Sequence, residues 1–141
     1  MIDVESHVVD MVHKRLDADM PGVRVYSSHV RSPSEFPCVM IYESSNGTFE
    51  PTRGIDGREH HAEVRYTIEV CTNDAVNKKE NAKRISKLID GTMQGMGFFR
   101  ASRNYDFGTN ESSIFVVLLT YRGLIGESPS GNENDLIVYR R

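Results

Sequence analysis

"GTMQGMGFFR", residues Gly91 to Arg100, places three glycines in seven positions at the end of a stretch with helical periodicity. Between Asn77 and Met96, residues Ala82, Ile85, Leu88, Ile89, Met93 and Met96 recur at 3.6-residue spacing. Asn77 with Glu80 three positions later has the pattern of a capping box. The glycines therefore follow a helix. Phosphate-cradling glycines precede one, because the unpaired amides and the positive end of the dipole lie at the N-terminus. The stretch predicts a helix stop, with a left-handed Gly97 at C′ and Phe98 at C″ packing back on Met93. Gly91 and Gly95 fall inside the helix, where each costs about 1 kcal/mol against alanine. Four residues apart, they leave a smooth flank that admits another backbone closely. Packing within the same chain is the favoured reading and a neighbouring subunit the other.

Outward from this helix, "FFRASRNYDF" (98–107) and "SIFVVLLTYRGLIG" (113–126) read as strands joined by a turn around "GTNES". The run Ile114–Leu119 is the most apolar in the chain and describes a central strand covered on both faces in its first half. Towards the N-terminus, Val4, Val8, Met11, Val12 and Leu16 mark a helix from Asp3 to about Met20, capped by Asp3 and stopped by Pro21 and Gly22. "VRVYSS" (23–28) and "PCVMIYES" (37–44) are strands, the second opened by Pro37 and apolar on both sides. Residues Ser44 to about His60 have no sustained period and predict a long loop. The next run points Val64, Tyr66, Ile68 and Val70 one way and Glu63, Arg65, Thr67 and Glu69 the other. If the strands on either side of the loop pair as an antiparallel hairpin, the loop projects from the domain edge; one this long is usually functional or disordered.

The element order is α-β-β-β-α-β-β. This predicts an α+β fold: a mainly antiparallel mixed sheet of about five strands with two helices packed on it, in a single domain over 1–126. "ESPSGNEND" (127–135) is a solvated linker. "LIVYRR" (136–141) is a β-prone end, disordered or docked on something, so 127–141 is expected as a flexible tail.

Composition narrows the function. With 141 residues, 38% apolar content and a net charge of −3 from 17 basic and 20 acidic side chains, the chain has no electrostatic footprint for nucleic acid and no polybasic membrane signal. No apolar run approaches the length needed to span a bilayer, and the N-terminus lacks signal-peptide features, which predicts a cytosolic chain. Cys38 and Cys71 lie in apolar strands without zinc-site spacing and are expected as buried free thiols. Glu59, His61 and Glu63 share one strand face that could hold a metal or an acid–base pair. At the start of a charged strand after a loop, the solvated reading is preferred. His7 and His13, six apart, share no helix face, and no nucleophile elbow, Walker loop, dinucleotide fingerprint or Cys-x-x-Cys pair is present. Arg31, Arg53, Arg58, Arg65, Arg100 and Arg103 are scattered among acids as a mixed surface. No catalytic, cofactor or metal residues are assigned, and the chain is expected not to be an enzyme.

The order "LDADMPGVRVY", "FPCVMIYES", "RYTIEVCTND", "KRISKLIDGTMQGMGFFRAS", "IFVVLLTYRGLIG" resembles the tail-completion, or tail-terminator, proteins of long-tailed bacteriophages, over about residues 2–125. Leu88, Ile89, Met93, Gly97, Phe98, Arg100 and Ser102 carry it most specifically, with Tyr121, Arg122, Gly123 and Ile125; the tail from Glu127 departs from it. The resemblance implies a virion structural protein, assembled in the host cytoplasm. It would form a homohexameric ring at the head-proximal end of the tail that stops tail-tube polymerisation and joins tail to head connector. Its partners would be its own copies, the tail-tube protein and the connector, with DNA passing through the hole unbound and no membrane involved. The acidic balance suits such a pore, since basic pores bind phosphate.

The contact elements expected on this basis are the Asn46–His60 loop (Phe49, Arg53, Asp56, Arg58), the glycine flank (Gly91, Gly95) and the tail (Leu136, Ile137, Tyr139). Alternatives are a head-closure ring, a small metal-dependent phage enzyme using Glu59, His61 and Glu63, and a monomeric module gripping a host protein.

Overall fold

In a computed structural model, residues 2–48, 61–106, 114–126 and 137–139 are described. The order is α1 (Glu5–Asp19), β1 (Arg24–Tyr26), β2 (Cys38–Thr48), β3 (His61–Thr72), α2 (Lys78–Gly95), β4 (Phe99–Asp106), β5 (Phe115–Gly126) and β6 (Ile137–Tyr139). The fold is α+β, as expected. Five strands run β1-β2-β3-β5-β4, parallel only between β1 and β2, and the short β6 pairs with β5 beyond the end of β4.

α1 forms because Val8, Val12 and Leu16 recur at four-residue spacing and all three are buried; each such side chain contributes about 1.5–3 kcal/mol. Asp3 Oδ1 accepts from the Glu5 amide at 3.0 Å, the capping role expected of it. Met11 departs from the expectation: it is exposed, because it lies off that stripe. α2 buries Ala82, Ile85, Ile89 and Met93. Its N-terminus also departs from expectation, since Asn77 makes no side-chain cap. Asp74 instead closes the turn before the helix, accepting from the amides of Val76 (2.9 Å) and Asn77 (2.8 Å), which holds its carboxyl below the usual range.

Both helices pack against one face of the sheet, on Val39 and Ile41 of β2, Val64, Tyr66, Ile68 and Val70 of β3, and Val117, Leu119, Tyr121 and Ile125 of β5. The alternation read in β3 holds residue for residue. The other face carries a smaller apolar cluster of Cys38, Met40, Cys71 and Val116, packed by Val30 and Phe36 from the β1–β2 connection. This is the two-sided cover expected of β2 and of the first half of β5. β5 lies between β3 and β4, so it is the central strand that its composition describes.

β2 and β3 form the expected antiparallel hairpin, but the loop expected from Ser44 begins later. β2 continues through a bulge at Glu43/Ser45 to Thr48, opposite Ala62. Asn46 belongs to that strand and donates through Nδ2 to the Ile2 carbonyl at 2.7 Å, tying the N-terminus to the hairpin. Polar strand residues that face water on both sides leave no apolar period to read.

Candidate functional site

The residues that carried the resemblance meet where α2 ends. Gly97 has φ +103°, donates to the Gln94 carbonyl at 2.9 Å, and the Phe98 amide donates to the Met93 carbonyl at 3.0 Å. These are the paired bonds of a Schellman stop, with Gly97 at C′ and Phe98 at C″ as expected. Phe98 is then driven into the core. Its ring stands edge-on to Tyr66, centroids 5.5 Å apart, and covers Gly123 so closely that a Cβ there would lie 2.5 Å from Phe98 Cδ1. Tyr121 Oη donates to Asp90 Oδ1 at 2.7 Å, and Asp90 Oδ2 lies 3.1 Å from an Arg100 guanidinium nitrogen. Arg100 precedes a β4 register shift ending at Ser102. The interlock couples α2, β4 and β5, and so sets where the rest of α2 faces.

What it leaves facing outward is the glycine flank. A Cβ built on Gly91 or Gly95 meets no atom within 4 Å, and both residues are exposed. The favoured expectation, that these glycines serve packing within the same chain, is overturned among the described residues. Gly91 borders a groove of about 210 Å³ with Arg15, Lys87, Leu88 and Thr92. Arg15 is paired to Asp19 at 2.6 Å across one turn of α1.

The sheet face away from the helices is the second outward surface. Glu63, Arg65, Thr67 and Glu69 of β3 stand on it opposite Leu124, Arg122, Thr120 and Leu118 of β5. Two arginines thus face each other across adjacent strands, a like-charge placement that costs stability when unshielded. The Arg122 guanidinium lies 5.6 Å from the ring centroid of Phe99, which is 56% exposed. Arg122 and Phe99 were not assigned as contact residues from sequence: strand alternation places Arg122 outward, but only the β4–β5 register brings Phe99 beneath it. At the other end of this face His29 Nδ1 lies 2.7 Å from Glu69 Oε2, and Tyr42 Oη donates to the same oxygen at 3.3 Å. Burial, then the Glu69 charge, pushes the Tyr42 phenol up.

Of the other residues named from sequence, Phe49, Arg53, Asp56, Arg58, Glu59 and Leu136 lie outside the described residues. His61 and Glu63 share the open face of β3, with Glu63 opposite Leu124. Among the described residues no three His, Cys, Asp or Glu side chains converge as metal ligands. Ile137 and Tyr139 lie on β6, paired with Gly126 and Leu124, so this end of the tail docks on its own chain. Arg103 stacks on Tyr105 at 5.4 Å. No family model and no curated protein matches this chain.

Proposed function

We propose that this chain is a structural virion assembly protein of a long-tailed bacteriophage. It forms a ring at the head-proximal end of the tail, a hexamer by the resemblance, which ends tail-tube polymerisation and joins tail to head connector. The observation that carries the proposal is the glycine flank. Two exposed helical glycines cost about 2 kcal/mol together against alanine, and among the described residues no atom comes within 4 Å of a Cβ built on either. Close approach of a second backbone gives the pair a physical purpose, and a ring of identical subunits supplies one at every interface. The resemblance names the ring; the interlock around Phe98 and Gly123 gives its most specific residues a common structural task.

The test is negative-stain microscopy of lysates from a phage lacking this protein, with purified protein added back. The expected result is tails of uncontrolled length or unjoined heads and tails, cured by the addition. Normal joined particles in the absence of the protein would overturn the proposal.

A further inference from the structure

The chain has two cysteines, and the fold sets them face to face. Cys38 of β2 is the direct ladder partner of Cys71 of β3. Directly opposed residues on one face of an antiparallel pair have Cβ atoms about 4.5–5.5 Å apart, near the separation that a disulfide spans. They lie on the face away from the helices, Cys38 fully buried and Cys71 6% exposed, beside Met40 and Val116 and under Val30 and Phe36. Donation from Cys71 stabilises the Cys38 thiolate and lowers that group, while the same bond, followed by burial, pushes the Cys71 thiol up. The ladder pairing holds the two side chains opposite each other in one buried cluster.

We propose that Cys38 and Cys71 form an oxidation site at which a small peroxide closes an intramolecular disulfide, fastening β2 to β3 at the hairpin end remote from residues 49–60. The Cys38 thiolate attacks one peroxide oxygen. The O–O bond breaks, giving a sulfenic acid and hydroxide, which leaves as water once protonated. The Cys71 sulfur attacks the Cys38 sulfur, the S–O bond breaks, and the departing hydroxide takes the Cys71 proton as a second water. Two thiols and one peroxide become one disulfide and two waters, with two electrons passing from sulfur to oxygen. Burial admits only a small oxidant, and the position of Cys71 directly opposite Cys38 in the ladder lets the second step outrun oxidation to sulfinic acid. The disulfide closes the chain from 38 to 71 in the unfolded state.

The experiment treats the full chain with graded hydrogen peroxide and follows intact mass, thiol titration in denaturant, peptide mapping and melting. Expected are loss of the mass of two hydrogens, simultaneous loss of both thiols, a Cys38–Cys71 peptide, and a melting temperature raised by roughly 5–10 °C and restored by dithiothreitol. Cys71→Ala, checked for folding by circular dichroism, should stop at or pass beyond the sulfenic acid at Cys38. Sulfinic products in the unmodified chain or a disulfide-linked dimer would overturn the proposal. So would thiols that survive in the folded protein at doses that oxidise the urea-unfolded chain, or a disulfide that leaves melting unchanged or lower. None of these readouts depends on ring assembly, so the site stands or falls apart from the proposed function.

Discussion

Gly123 has no room for a methyl group. A Cβ there would lie 2.5 and 2.6 Å from two atoms of the Phe98 ring, which is pinned by the Schellman turn on one side and Tyr66 on the other. Gly123→Ala should cost about 1–3 kcal/mol by overpacking, read by chemical denaturation, and Phe98→Leu in the same chain should recover part of the loss. Tyr66 and Tyr121 are also decided at this scale. Both are fully buried, and burial first, then the Glu43 charge for Tyr66 and the Asp90 hydrogen bond for Tyr121, hold their phenols well above the ordinary range. A folded pKa raised above the unfolded one gives stability that is complete below about pH 10 and lost as pH rises further. Alkaline titration of the six tyrosines by ultraviolet absorbance should therefore show two that ionise only with unfolding. Tyr66→Phe with Tyr121→Phe should flatten the fall in stability above pH 10; an equal fall in the double variant would refute this account.

At the scale of elements, α2 does two tasks on opposite sides. Its apolar stripe holds the sheet, and its glycine flank faces outward over the groove beside Arg15 and Lys87. Among the described residues Gly91→Ala and Gly95→Ala meet no atom within 4 Å, and both keep helical backbone, so each should stabilise the isolated protein by about 1 kcal/mol. The same variants should lose activity in the add-back assay, because the methyl groups hold a neighbouring backbone away. Stabilisation with full activity would remove the flank from the assembly surface. α2 has no side-chain cap of the kind that Asn77 and Glu80 suggested, and Asp74 bonds the amides of the turn before it. The capping-box spacing was present in sequence, but whether the side chains reach the free amides depends on the turn before the helix, and that turn has no periodic signal.

For the whole molecule, the β2–β3 hairpin is the element that leads into residues 49–60. Its ladder continues to Thr48 opposite Ala62. Replacing residues 49–60 with Asn-Gly leaves a three-residue connection, His61 included, between those partners, a length that hairpins use readily. Circular dichroism and melting should stay near those of the parent chain, while head–tail joining fails in the add-back assay. Loss of the fold would instead show that 49–60 packs on the core. The replacement must begin after Thr48, because Asn46 holds the Ile2 carbonyl and Glu43 shares a 3.4 Å hydrogen bond with Tyr66.

By itself the sequence determined the element order, the buried sides of α1, α2 and β3, the central place of β5 and the stop at Gly97. Each is a local matter of periodicity or backbone preference, and apolar residues repeated at 2 or 3.6 positions declare the face they bury. It did not determine register, or which strands pair beyond those adjacent in the chain. Pairing decided that Cys38 meets Cys71, that Arg65 faces Arg122, that Phe98 covers Gly123 and that the end of the tail returns to β5. Those contacts join residues distant in the chain. Their register follows from how two layers of side chains close on one core, which no window of neighbouring residues contains.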